Sequence, residues 1–133
     1  ANVADLTIIH QQDIEMYSDF SITSGAIEQN GDLSIYVDVA NYNESNNWIG
    51  KLAVDIYGID YDFVGTVEEK DASLNALTYN SFNFSTNNLD LEPGTYFLFL
   101  IEQTDGVWDA VGSRRLLSKL LRQLHLCSFC IQC

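Results

Sequence analysis

Leu33-Ser34-Ile35-Tyr36-Val37-Asp38-Val39 alternates apolar and polar side chains with a period of two. In an extended chain successive side chains point to opposite faces, so this pattern gives a strand with one apolar and one wetted face. Leu52, Val54 and Ile56 alternate with Ala53, Asp55 and Tyr57 in the same way, as do Phe82 and Phe84 with Ser81, Asn83 and Ser85. Tyr96 to Ile101 is apolar at every position, which suits a central strand covered on both sides. Weaker strands are expected at Asp5 to Ile9, Asp19 to Thr23 and Phe63 to Val67. No stretch before Ser113 shows helical periodicity.

Turn residues separate these strands. Gln29-Asn30-Gly31-Asp32 precedes the Leu33 strand, and Asn-Gly is a strong turn signal. Asn41 to Asn47 reads as a polar loop. Glu92-Pro93-Gly94-Thr95 fits a type II turn, with proline fixing the first φ and glycine taking the positive one. Thr104-Asp105-Gly106 is a further tight turn. Many short strands at such spacing predict an antiparallel sandwich of immunoglobulin-like type with about seven strands. Tyr96, opening a strand just after the Pro-Gly turn, suits either a tyrosine that hydrogen-bonds back to that corner or a plain core tyrosine.

A chain of 133 residues, 47% apolar, supports one hydrophobic core. Ala1 to Asp5 lacks the basic and apolar regions of a signal peptide and would suit a mature end or a boundary inside a longer protein. Net charge is −13, and all 19 acidic residues precede Ser113, against Lys51 and Lys70 alone in that stretch. Such a surface repels phosphate backbones, which excludes nucleic acid as a partner of the main body.

Leu91-Glu92-Pro93-Gly94-Thr95-Tyr96, followed by Trp108 and Val111-Gly112, resembles the immunoglobulin-like modules appended to streptopain-like cysteine proteases and other secreted proteins of Gram-negative anaerobes. Ala4-Asp5-Leu6-Thr7-Ile8 is similar to their opening strand, and Ile49-Gly50-Lys51-Leu52-Ala53-Val54 to their third core strand. The resemblance covers about residues 3 to 113, mostly at core and turn positions that many sandwiches share. It implies an accessory module of a secreted or cell-surface protein. It implies no catalytic residues, because the protease chemistry of such proteins lies in another domain. Its last strand, however, is replaced here by Arg114-Arg115-Leu116-Leu117-Ser118-Lys119-Leu120-Leu121.

The sequence thus divides into a sandwich over residues 1–113 and an atypical basic, leucine-rich tail over 114–133. Three readings of the tail stand side by side. Leu116, Leu117, Leu120, Leu121 and Leu124 recur at helical spacing, with Arg114, Arg115, Lys119 and Arg122 on other faces, as in a basic amphipathic helix for a membrane surface or partner groove. Cys127, Cys130 and Cys133, near His125, have ligand-like spacing. A structural zinc site usually draws on two chain segments, though, and an iron–sulfur cluster wants a fourth cysteine. Finally, the tail can be a frame-shifted segment. Read one base forward, permitted codons for 114–120 give Glu-Gly-Tyr-Phe-Gln-Asn-Tyr, which restores the pattern of the missing strand.

Catalytic residues are not evident. Of the two histidines, His125 lies in the tail, and His10 has no Ser, Cys or Asp pairing that the sequence can certify. Carboxylate pairs such as Asp60 with Asp62, or Glu68 and Glu69 with Asp71, are expected by coincidence on so acidic a surface. Neither a calcium-loop spacing nor a glycine-rich phosphate loop occurs, so no metal or other cofactor is implied. Aromatics give the binding candidates: Trp48 beside a polar loop, Tyr61 near the Gly58 turn, and Trp108 after another turn. Loop aromatics stack on sugar rings or anchor protein partners. For both tryptophans the leading reading is a cap at either end of the core, ahead of the binding role. The expected function is a non-catalytic accessory module, serving as spacer, adhesin or substrate binder. The alternatives are a small carbohydrate-binding domain and a membrane- or partner-binding tail. Partners would be another domain of a longer secreted protein, a surface glycan or a surface protein.

Overall fold

The computed structural model describes residues 14–22, 26–111 and 127–132. It is an all-β sandwich with no helix among the described residues. The strands are β1 (Ile14–Met16), β2 (Ser21–Ile22), β3 (Ala26–Glu28), β4 (Gly31–Asn41), β5 (Trp48–Gly58), β6 (Phe63–Leu74), β7 (Thr78–Leu89), β8 (Gly94–Thr104), β9 (Val107–Ala110) and β10 (Cys127–Gln132). One sheet is built on β4, which pairs with β7 on one side and with β1 and β2 on the other. The second runs β3-β10-β8-β5-β6, with β9 folded back on β8.

Among the described residues ten segments stand where about seven strands were expected, for physical reasons. β1 and β2 are two pieces of one edge, separated at Tyr17 to Phe20, where the Tyr17 and Ser18 amides both turn to the Asp38 carbonyl. β9 is the short return of a hairpin whose loop, Asp105-Gly106, has φ of 54° and 81° at its two residues. Positive φ at both loop positions matches the right-handed twist of the flanking strands, and Asp-Gly supplies it cheaply. All pairings are antiparallel except β10 with β3.

The expected strand at 5–9 and the helical pattern over 114–124 lie outside the described residues. Cys127–Gln132 takes the place beside β8, with Phe129 in register with Tyr96.

Leu33, Ile35, Val37 and Val39 of β4 face Leu52, Val54 and Ile56 of β5 and Leu98 and Leu100 of β8 across the core, with Phe84 fully buried among them. Each buried aliphatic or aromatic side chain contributes about 1.5–3 kcal/mol relative to exposure. Trp48 is also buried. Its indole folds along β5 over Gly50, and Nε1 donates to Thr104 Oγ1 at 3.1 Å. Thr104 Oγ1 in turn donates to Glu102 Oε1 at 2.6 Å. Trp48 therefore caps the core and has no free ring face for a ligand.

Two expectations at turns change. Asn41 is the last residue of β4, not part of the loop, and it is buried. Its Nδ2 donates to the carbonyls of Asn46 and Leu74, and its Oδ1 accepts from the Asn43 amide at 2.9 Å. Every polar atom is matched, so a buried amide costs little here. Gly94 has φ of 159°, well away from the third position of a type II turn, and it already belongs to β8. The corner is closed instead by Tyr96, whose Oη donates to the Glu92 carbonyl. This is the corner tyrosine of immunoglobulin-like sandwiches.

Candidate functional site

The outer face of the larger sheet is where the sequence pattern and the structure part company. Alternation puts Ala53, Asp55 and Tyr57 of β5 on the solvent side, yet Ala53 is 1% exposed and Asp55 only 8%. The register explains it. Asp55 lies between Phe99 of β8 and Thr66 of β6, and Ala53 between Ile101 and Glu69. Trp108 on β9 pairs with Gln103, so its side chain is on the same outer face and borders Ala53, Asp55 and Ile101. Phe97, Phe99 and Ile101 complete this second apolar layer, half-buried, which accounts for the unbroken apolar run of β8.

The aromatic wall extends to the β5–β6 loop. Tyr61 has φ of 63°, and its amide donates to the Gly58 carbonyl at 2.9 Å, which folds the loop tip back over the sheet. Its ring stacks on Phe97 with centroids 5.2 Å apart and planes 7° from parallel. Tyr57 meets Phe99 and Phe63 edge to face, at 5.0 and 5.7 Å. Such pairs fix ring orientation as well as burying area. Tyr61 keeps half its surface exposed, and Trp108 about a third.

Between these walls lie two adjoining hollows. The larger, about 440 Å³, is lined by Asp55, Tyr57, Tyr61, Phe99, Trp108 and Asp109, among others. The smaller, about 310 Å³, is lined by Ala53, Asp55, Thr66, Glu69, Ile101 and Trp108. Asp55, Ile101 and Trp108 border both, so the two form one trough across the sheet with Trp108 at its middle.

Thr66 Oγ1 donates to Asp55 Oδ1 at 2.7 Å. Burial pushes the Asp55 carboxyl above its usual 3.8. The Thr66 hydrogen bond pulls it partly back, and the Glu69 charge adds to the rise. Glu69 forms an exposed ion pair with Lys51 at 3.4 Å.

Of the three aromatics proposed from sequence, Tyr61 and Trp108 come together in the trough and Trp48 does not. Asp55 was not singled out. The available signal was an acid between Val54 and Ile56 in a strand paired with an all-apolar one, which implies a covered outer face as well. The carboxylates of Asp60 with Asp62 and of Glu68 with Asp71 line neither hollow, and Glu69 lines only the smaller one. His10, His125 and Cys133 lie outside the described residues, as do the side chains of Cys127 and Cys130. Among the described residues, no group of three His, Cys, Asp or Glu side chains converges to hold a metal, and no helix is long and apolar enough to cross a membrane.

No family model and no curated protein matches this sequence. The fold is similar to the C-terminal domain of Wzt, with a TM-score of 0.63 and 10% identity over 92% of this chain and 75% of that one. It is similar to the CARDB domain of a Pyrococcus furiosus protein in complex with di-metal ions, at TM-score 0.54 and 13% identity over 90% and 86% of the two chains. A third similarity is to part of a Paenibacillus sp. cycloisomaltooligosaccharide glucanotransferase complexed with cycloisomaltoheptaose, at TM-score 0.55 and 13% identity. It covers 67% of this chain but only 12% of that enzyme. At such identities the likeness concerns the β-sandwich fold alone.

Proposed function

We propose that this chain is a non-catalytic accessory module of a secreted or cell-surface protein, and that it holds a glycan in the trough on its larger sheet. The observation that carries this reading is the placing of Tyr61 and Trp108. Each is fixed from below by the sheet and leaves ring surface open beside buried and half-buried carboxylates. A sugar offers just the complementary chemistry: apolar ring faces that pack on aromatics, and hydroxyl donors at the rim. The resemblance to modules of streptopain-like proteases accords with an accessory role. The neighbour solved with a cyclic oligosaccharide accords with the ligand class. The basic segment at 114–126 does not enter this reading.

The test is calorimetric titration against a panel of neutral, basic and acidic oligosaccharides, with Trp108→Ala and Tyr61→Ala as variants. Both side chains are exposed enough for the variants to fold. Each is expected to weaken binding of the preferred glycan about tenfold or more, since truncating an aromatic anchor of a binding site costs about 1–2 kcal/mol or more. Absence of binding across the panel, or binding indifferent to both substitutions, would overturn the site. Release of reducing ends on prolonged incubation would overturn the non-catalytic part.

A further inference from the structure

The direction of the trough follows from strand register. Ala53 of β5 lies opposite Glu69 of β6 on one side and Ile101 of β8 on the other, and Ile101 lies opposite Ala110 of β9. Asp55 lies likewise between Thr66 and Phe99. All of these residues line one hollow or both. Thr66 and Glu69 are three positions apart and would face opposite ways in a regular strand. The register shift between Val54 and Asp55 puts both on this face. The floor is thus two rows of side chains that cross the strands from β6 toward β9. Neighbouring strands lie about 4.8 Å apart, so the longer row spans about 14 Å, and the two rows are about 7 Å apart along β5.

Aromatic rings stand along both sides of this floor. Beyond the Asp55 row, Tyr57 meets Phe99 and Phe63 edge to face, and Tyr61 stacks on Phe97. Beyond the Ala53 row stands Trp108, in register with Gln103 and bordering both hollows. The ends are lower. At one, Thr66 and Glu69 are exposed on β6, whose only pairing among the described residues is with β5. At the other the floor is the small side chain of Ala110, which is half-buried.

A channel walled along its length and low at its ends takes a ligand that is narrow and continuous. A polysaccharide chain in solution has that shape. A crystal of packed chains presents a flat face instead, and the rings of Tyr61 and Trp108 would hold such a face off the floor.

We infer that the trough takes one free, unbranched glycan chain, running across the strands from Thr66 and Glu69 to Ala110 between Tyr61 and Trp108, and that it rejects chains packed in a crystal. The inference rests on the glycan reading above and narrows it to single chains in one orientation.

The test runs the protein through native gels containing soluble linear β-glucan, xylan or mannan, and mixes it with microcrystalline cellulose and crystalline chitin. At least one soluble polymer is expected to retard the parent, and neither crystal is expected to pellet it. Ala110→Phe and Ala110→Gln each raise the floor at the β9 end, one with a ring and one with a polar chain. Both are expected to weaken retardation about tenfold or more, as when an anchoring ring loses its contact. Val107→Phe adds the same ring at an exposed position of β9 that lines neither hollow, and is expected to leave retardation unchanged. Thermal melts show that the blocked variants are folded. Retardation that Trp108→Ala abolishes but both Ala110 variants keep would mean that the chain runs another way, and would overturn this inference with the glycan site intact. Pelleting by either crystal that Trp108→Ala abolishes would overturn it as well. Absence of binding to every polymer, soluble or crystalline, and to the oligosaccharide panel would overturn both readings.

Discussion

The Tyr96 hydroxyl donates to the Glu92 carbonyl, four residues upstream across Pro93 and Gly94. One side chain thus ties the entry of β8 to the corner that precedes it, and the ring itself is packed in the core. Burial and the nearby Glu92 charge both push the phenol above its ordinary 10.0, so it stays a donor at neutral pH. Tyr96→Phe keeps the ring and removes the bond. It is expected to lower unfolding stability by about 1 kcal/mol, the net worth of one intramolecular hydrogen bond. Urea unfolding checks this: the midpoint should fall with an unchanged slope, and an unchanged midpoint would mean the corner holds without the bond.

Gly50 is expected to tolerate no side chain. A Cβ there would lie 2.7 Å from Trp48 Cζ2 and closer still to the Gln103 carbonyl oxygen. The indole could shift, but the carbonyl belongs to the neighbouring strand and cannot. Gly50→Ala should therefore cost about 1–3 kcal/mol by overpacking, and should disturb the Trp48 to Thr104 hydrogen bond. A blue-shifted Trp48 emission unchanged in the variant, with unchanged stability, would refute this placing of the indole.

Strands whose alternation is set by one buried face were legible from sequence. Leu33 to Val39 and Phe82 to Ser85 appear where the period-two pattern put them, because a one-residue slip would turn every apolar side chain to water. Asp105-Gly106 was legible for the same local reason, and the Tyr96 corner stood as one of two readings that the hydrogen bond to Glu92 decides. What depended on distant chain was not. Ala53 and Asp55 share a hollow with Trp108, more than fifty positions away, and the β8–β9 hairpin register brings it there. The reading of Trp48 as a cap on the core agrees with its burial, and what completes that cap is Gly50, small enough to lie under the indole, and Thr104 arriving from β8. Tyr61 and Trp108 were readable as aromatics beside turns, but their sharing one trough was a matter of topology.

Asp55 should make stability depend on pH with a definite sign. Its folded pKa is raised above 3.8, so the folded protein holds this proton more tightly than the unfolded chain. Stability then falls as pH rises from 3.8 through the folded value, and the penalty is fully present above it. Asp55→Asn has no such proton to lose. It is expected to melt at a higher temperature than the parent in neutral buffer and to show no gain below about pH 3.8. Thr66→Val removes the bond that stabilises the ionised form, and should cost about 2 kcal/mol at neutral pH and less in acid. Thermal melts across this range decide it. A gain for Asp55→Asn that is the same at every pH would contradict the desolvation account.

The free edge of β7 is guarded by side chains from β6. Among the described residues β7 pairs with β4 alone, which leaves main-chain groups on its other side without a described strand. Glu68 Oε1 accepts from the Ser85 amide at 3.0 Å, and Lys70 Nζ donates to the Asn83 carbonyl. Lys70 also lies 3.8 Å from Glu68 and 5.1 Å from the Phe84 ring centroid, which holds the ammonium over the edge. Unpaired strand edges invite pairing between molecules, and inward-reaching charges are a common defence. Glu68→Ala combined with Lys70→Ala is expected to cause concentration-dependent association, seen by light scattering at temperatures where the parent stays monodisperse. Lys51→Ala removes a more exposed cation whose partner, Glu69, makes no such edge contact, and should not associate. If all three proteins scatter alike, Glu68 and Lys70 are ordinary surface ions, and the edge is protected by its own twist.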